Sequence, residues 1–224
     1  MRIDFVTLFP DMLAPVMNAS ILGRAQKAGL LSWGAVNPRD FSEDKHRKVD
    51  DRPFGGGPGM VMMAEPLAEA IDSVKKRGSR VIFLSPQGER FDDAKASSLA
   101  KKKHLVLVCG HYEGVDERIM TSFDEEVSIG DYVLTGGELP ALVVADAVAR
   151  KLPGVLKKEE AAAAESFATG LLDFPQYTRP RVWRGREVPE VLFSGDHGRI
   201  AEWRRRAARS ATRRKRPDLL ERAN

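Results

Sequence analysis

A chain of 224 residues, 42% hydrophobic and 30% charged, has the composition of an ordinary globular protein, far from disorder, with room for one large domain or a main domain and a small companion. Its net charge of +4 is unevenly spread: residues 179–216 hold 13 Lys or Arg against 4 Asp or Glu, a balance of +9 that leaves −5 elsewhere and points to a polyanionic partner. The most apolar stretch, 141–149, is too short for a bilayer and contains Asp146, Asp4 and Asp11 break the N-terminal apolar run before it could direct secretion, and the single Cys109 excludes an intrachain disulfide, so a soluble protein of the reducing cytoplasm is expected.

Short β-branched or apolar runs alternate with stretches of helical period. The pattern predicts a strand over 3–9, a helix near 12–28, a strand over 30–36 and, after a polar and glycine-rich stretch, a helix near 66–76. It continues with strands over 80–84 and 105–109 separated by a helix near 92–101. A helix near 116–122, a strand over 126–129 and a helix from about 138 to 151 follow, the last stopped by Pro153 and Gly154. Such alternation means an α/β fold with a largely parallel sheet. The stretch Lys157-Lys-Glu-Glu-Ala-Ala-Ala-Ala-Glu165 has no apolar stripe and reads as a flexible linker over 157–166, which puts domains at 1–156 and 167–224. Beyond it Ile200, Trp203, Ala207, Ala208 and Ala211 recur at helical spacing, while Arg199, Arg205, Arg206, Arg209 and Arg213 fall mostly on other faces. A small, basic, all-α C-terminal domain is expected.

No G-x-x-x-x-G-K-[ST] phosphate loop, H-E-x-x-H, C-x-x-C or G-x-S-x-G occurs, and Gly55-Gly-Gly-Pro-Gly59 has Met60 where the dinucleotide pattern needs a third glycine. Neither ATP hydrolysis nor NAD binding finds support. Three predicted strand ends carry unusual loops instead: Leu84-Ser-Pro-Gln-Gly88, Cys109-Gly-His-Tyr-Glu-Gly114 and Ser128-Ile-Gly-Asp-Tyr-Val-Leu-Thr-Gly-Gly-Glu-Leu-Pro140. Open α/β sheets bind ligands outside the carboxyl ends of their strands, and glycines there let backbone approach a ligand. With Leu84, Ile129, Tyr132 and Leu134 offering apolar faces, a shared pocket for a small ligand with a planar ring is expected. The stretch from Asp40 to Met60 packs Lys45, His46, Arg47, Lys48, Asp50, Asp51 and Arg52 ahead of its glycines and reads as a long exposed loop suited to contact with a polyanion.

Asp50-Asp-Arg-Pro-Phe-Gly-Gly-Gly-Pro-Gly-Met60, Leu84-Ser-Pro-Gln-Gly88, Ile129-Gly-Asp-Tyr-Val-Leu-Thr-Gly-Gly-Glu-Leu-Pro140 and Tyr177-Thr-Arg-Pro180 resemble, in order, the bacterial tRNA (guanine-N1)-methyltransferase family, TrmD, from residue 1 to about residue 221. The resemblance implies a SPOUT-type α/β domain whose deep trefoil knot clasps S-adenosylmethionine, a fold that the rarity of threaded connections argues against on general grounds. It implies that Gly110 and Ile129, Gly130, Asp131, Tyr132, Val133 and Leu134 lie against adenosine, and that Leu84, Ser85, Pro86, Glu113, Gly136, Gly137 and Pro140 complete the wall. His46, Asp50, Arg52 and Gly59, with Arg179, Arg205 and Arg209 of the C-terminal domain, are the residues it points to for the anticodon stem-loop of tRNA. The implied assembly is a homodimer with a composite active site, acting on neither DNA nor membrane, with any Mg2+ held together with the substrate.

Methylating N1 of guanine requires removal of the N1 proton, because the neutral base has no free lone pair there, and negative charge then spreads onto O6. The family pattern implies Glu165 as the base and Arg150 as the cation at O6. Glu165 departs from the family's Asp at that position. Thr169 stands where many relatives have a second Asp, Asp173 remains as a secondary carboxylate, and His111 occupies a position that is often Arg. Two other readings stand beside this one: an RNA-binding module of the same fold without catalysis, and a methyltransferase acting on another RNA atom such as a ribose 2′-hydroxyl.

Overall fold

The computed structural model describes residues 1–157 and 165–221, and the chain divides into two compact units, Met1–Lys157 and Lys158–Asn224. The expected linker over 157–166 falls largely on residues 158–164, outside the described ones.

The first unit is built on five parallel strands. β1 (Arg2–Val6), β2 (Ser32–Val36), β5 (Arg80–Arg90), β6 (His104–Cys109) and β7 (Glu125–Ser128) lie in the order β2-β1-β6-β5-β7. Two-residue strands β3 (Asp50–Asp51) and β4 (Val61–Met62) form a separate antiparallel pair. Alternation along the central strands sorts the core into two layers. Ile82, Leu84, Leu105, Leu107 and Cys109 face one side, with α1 (Ala14–Met17), α2 (Ser20–Lys27), α4 (Asp93–Leu99) and α5 (Glu138–Ala149). Val81, Phe83, Val106 and Val108 face the other, with α3 (Ala64–Val74). Burial on both faces explains why β6 reads as one continuous apolar run, since a parallel strand covered by helices has no solvent side to alternate with.

Four sequence expectations are corrected. The helix expected over 12–28 is a 3-10 turn, α1 and α2, because Gly23 brings its backbone directly against the Asn18 carbonyl, where a methyl group would collide. The strand expected over 80–84 runs on to Arg90. Leu84 and Glu89 both lie opposite Val127, so Ser85–Gly88 bulges out and the strand rejoins β7. The helix near 116–122 is a 3-10 helix, capped by the Asp116 carboxylate accepting from the Arg118 amide at 3.0 Å. The C-terminal unit is not all-α: Val182–Trp183 and Arg186–Glu187 (β8 and β9) make a hairpin whose central Arg184 and Gly185 both have positive φ, 50° and 73°, as a type I′ turn demands.

The long helix of the second unit, α6 (His197–Lys215), begins at Asp196, whose side chain accepts from the Arg199 amide at 3.0 Å, and ends in Arg213, Arg214 and Lys215, where cations suit the helix dipole. Its apolar stripe adds Thr212, fully buried, whose hydroxyl donates to Ala208 O at 2.8 Å and accepts from Leu172 N at 2.9 Å. α7 (Asp218–Glu221) follows. Among the described residues no helix is long and apolar enough to cross a membrane.

Candidate active site

The bulge of β5 and the carboxyl ends of β6 and β7 open into a cleft of about 340 Å³. Each strand contributes a stretch of the lining. Leu84, Ser85 and Pro86 come from the β5 bulge, Gly110 and Glu113 from the loop after β6, and Ile129, Gly130, Tyr132, Val133, Leu134, Gly136, Gly137 and Pro140 from the loop joining β7 to α5. Of the cofactor residues expected from sequence, Asp131 alone is not in the lining; it is exposed.

Backbone, more than side chains, shapes this cleft. Gly137 N donates to Gly110 O at 2.9 Å, and a Cβ on Gly137 would stand 2.6 Å from Cys109 Cα and 2.8 Å from Gly110 N. A Cβ on Gly110 would be 2.8 Å from the Phe83 ring, and one on Gly88 would run into the Val127 amide. These glycines are required by close approach of three chain segments, not by unusual backbone angles. Ser128 fixes the third loop, its hydroxyl donating to Gly130 O at 3.1 Å and accepting from Gly130 N at 3.2 Å.

Beneath the floor lies a polar cluster that the sequence reading missed. Glu138, 1% exposed at the start of α5, accepts from the Thr7 hydroxyl at 2.6 Å and lies 2.8 and 2.9 Å from His111 Nε2. Burial pushes the Glu138 carboxyl up, but the hydrogen bonds from His111 and Thr7 outweigh it and leave the group below its ordinary value of 4.5. The same carboxylate adds to burial in raising the Cys109 thiol well above 9.0. The signal in the sequence was a lone Glu set between two glycines and an apolar helix, a poor place for an acid without partners. Glu117 and Glu126 also line the cleft, giving three carboxylates with Glu113, the one of the three that the resemblance names.

The Asp40–Met60 stretch is exposed but anchored. Glu113 N donates to Met60 O at 3.0 Å, Met62 N to Gly114 O at 2.9 Å, and a methyl on Gly59 would run into the Glu113 carboxylate. Gly59 therefore sits beside the cleft. His46 and Arg52 are exposed and Asp50 is half-buried in β3. Next to the cleft, hydrogen bonds from the Arg118 side chain and amide pull the Asp116 carboxyl down to about 2.

Arg150 caps the C-terminus of α5, its amide donating to Asp146 O at 3.1 Å. Glu165 belongs to the second unit, where it precedes a turn over Phe167–Gly170. Ser166 Oγ accepts from Asp173 N at 2.9 Å there, so Asp173 helps to tie that turn. Arg179, Arg205 and Arg209 are exposed, the last two one turn apart on α6. Among the described residues no group of three or more His, Cys, Asp or Glu is placed to hold a metal ion.

The family model described as tRNA (Guanine-1)-methyltransferase TrmD matches residues 1–222. A tRNA (guanine-N(1)-)-methyltransferase of Moorella thermoacetica is 56% identical, the match covering 100% of this chain and 92% of the relative. Proteins of the same name from Dictyoglomus turgidum and Cronobacter sakazakii are each 54% identical, with 100% and 99% of this chain and 91% and 88% of the relative covered. A match that runs through the glycine-walled cleft and the basic unit alike makes this chain a member of the tRNA (guanine-1)-methyltransferase family, TrmD.

Proposed function

We propose that this chain transfers a methyl group from S-adenosylmethionine to N1 of guanosine 37 in tRNA, with the donor in the strand-end cleft, Glu165 as the base and Arg150 as the cation at O6. The chain is a tRNA (guanine-N1)-methyltransferase by family. The observation that carries the choice of site is the cleft itself, walled by the β5 bulge and the glycine-bearing loops at the carboxyl ends of β6 and β7.

The residues present fit such a donor. About 340 Å³ is within the usual size of a small-molecule site, and Leu84, Ile129, Tyr132 and Leu134 offer apolar faces to a purine. Glu113, Glu117 and Glu126 bring negative charge to a ligand carrying a sulfonium and an ammonium group. When bound, the donor supplies an electrophilic methyl. A Glu165 carboxylate within hydrogen-bond reach of guanine N1 takes the proton and frees the lone pair for in-line attack, a contribution of about 10² to 10⁴ in rate. Arg150 donates to O6 as negative charge gathers there, worth about 10² to 10³.

In this reading the enzyme is a cytoplasmic homodimer whose site is completed by Glu165 of the partner subunit. α5 supports that assembly: it is apolar on nearly every side, yet Leu139 and Val143, one turn apart, are 51% and 46% exposed, a face that a second copy would cover. The tight backbone crossings at Gly88 and Gly137 support a deep trefoil knot, which needs backbone packed on backbone. His46, Asp50, Arg52 and Gly59 read the anticodon loop, Arg179, Arg205 and Arg209 neutralise phosphates, and the target guanine leaves its stack to reach the donor. Mg2+ enters with bound substrate and water.

The test is transfer of labelled methyl to an unmodified tRNA transcript, beside one with guanosine 37 replaced. Label confined to the first transcript, falling about 10²-fold or more in Glu165→Gln and Arg150→Ala and persisting in Glu165→Asp, is the expected result. Equal labelling of both transcripts, or undiminished transfer by Glu165→Gln, would refute the reading.

A further inference from the structure

The second unit holds a cavity of its own, about 560 Å³, formed entirely by residues 174–204. Four aromatic rings line it: Phe174, Tyr177, Phe193 and Trp203. Arg181 lies over the Phe193 ring at 4.6 Å and Arg204 over the Phe174 ring at 4.8 Å, and no Asp or Glu is in the lining. Among the described residues, Tyr177, 47% exposed, carries no guanidinium over its ring.

Val188, Leu192 and Ile200 complete an apolar wall, but a mere gap in a small core would not also gather four rings and hold guanidinium groups across two of them. Flat π faces bind any base by stacking, and cations beside them neutralise the phosphate that comes with it. An acidic peptide would satisfy the arginines and leave the rings without partners of their own shape. The surrounding charge agrees, since residues 179–216 carry a balance of +9.

We propose that this cavity is a second nucleotide site, which takes one unstacked nucleotide of the bound tRNA, its base against Tyr177 and Trp203 and its phosphate on Arg179 and Arg181. The proposal rests on the reading of the chain as a tRNA methyltransferase. It adds a base-holding site outside the donor cleft. Basic residues alone would grip the duplex backbone without selecting a nucleotide, whereas a ring-lined cavity accepts only a base that has left its stack.

The experiment uses the full chain and an unmodified tRNA transcript. Tyr177 is 47% exposed, and Tyr177→Phe keeps its ring as a control for packing. Tyr177→Ala is expected to raise the Kd for tRNA by about five- to a hundredfold, Tyr177→Phe to keep wild-type affinity, and the Kd for S-adenosylmethionine to stay unchanged in both. Ultraviolet cross-linking followed by proteolysis and mass spectrometry should place a nucleotide adduct on the peptide holding Tyr177 or Trp203, and that nucleotide should come from a loop of the tRNA. An unchanged tRNA Kd in Tyr177→Ala, an equal loss in Tyr177→Phe, or adducts confined to the arginines of α6 would overturn the proposal. Methyl transfer by the wild-type chain separates the two readings: without transfer to tRNA the enzymatic reading falls whatever the adduct, and with transfer but no ring adduct only the cavity proposal falls.

Discussion

Gly137→Ala tests the claim that the cleft proposed for the donor is made by backbone contact. The residue has ordinary backbone angles, φ −83° and ψ −4°, so alanine brings no conformational strain and the entire effect is steric. Its Cβ would lie 2.6 Å from Cys109 Cα, where carbon atoms prefer about 3.5 to 4.0 Å, so one segment must retreat by about 1 Å. The obstacle is main chain at the end of β6, buried on both faces, and it has no rotamer to change. Overpacking of this kind costs about 1 to 3 kcal/mol, and at about 2 to 4 °C per kcal/mol a fall in Tm of roughly 2 to 12 °C is expected. The retreat also strains the Gly137 N to Gly110 O hydrogen bond and moves a wall of the cleft, and a displacement near 1 Å lowers turnover by about a hundredfold. Thermal unfolding, calorimetric titration with S-adenosylmethionine and methyl-transfer kinetics measure the three effects. A variant that melts, binds the donor and turns over like the wild type would refute the close approach at Gly137 and the backbone-built wall with it.

Glu138→Ala should cost about 3 to 5 kcal/mol in urea denaturation, because it leaves the Thr7 hydroxyl and His111 Nε2 without their shared acceptor; a loss below about 1 kcal/mol would contradict a paired buried carboxylate. Acid should destabilise the fold through Glu125 and Glu138. Burial pushes both carboxyls up, but Lys95 and Arg80 at Glu125, and His111 and Thr7 at Glu138, leave both below 4.5, so their stabilisation is full above that value and lost as pH falls through the folded-state values. Urea midpoints measured from about pH 7 down to about pH 3 should fall, and Glu125→Gln should flatten the fall. Cys109, fully buried and with its thiol pushed up by burial and by Glu138, should resist thiol reagents at neutral pH until the protein unfolds; rapid labelling of native protein would show an opening at the end of β6.

Strand and helix periodicity carried most of the first unit, since β6 and the paired faces of β5 follow from the simplest pattern in the sequence, apolar residues with β-branched character between turns. What it could not carry were features set by contact between distant segments. The break at Asn18–Ala19 exists because Gly23 lets a carbonyl in, and no local propensity marks it. The return of β5 to β7 past Gly88 likewise depends on a partner strand some forty residues away. That the three loops share one cleft was legible because three glycine-bearing loops fall in one half of the sheet, whereas Asp131, which comes with its neighbours in the Ile129–Leu134 run that the resemblance names, is exposed and outside the lining. Glu138 was passed over for the opposite reason: its meaning lies in Thr7, 131 residues away, and in His111.

The two units place their chemistry on different materials. In the first, glycines press backbone against backbone and a fully partnered carboxylate lies beneath them, so the shape of the cleft is fixed before any ligand arrives and little has to be reorganised on binding. In the second, Thr212 is the only residue of the described 165–221 that is buried, while rings and guanidinium groups remain open to solvent. A unit with so thin a core has little stability of its own, and a ligand that binds only its folded form adds to that stability in proportion to RT ln(1 + [L]/Kd). On the proposed nucleotide site, recognition and order in the basic unit are coupled through the same aromatic and arginine side chains: a base or phosphate settling on Tyr177, Trp203 or Arg181 would also supply apolar and ionic contacts that its own core lacks.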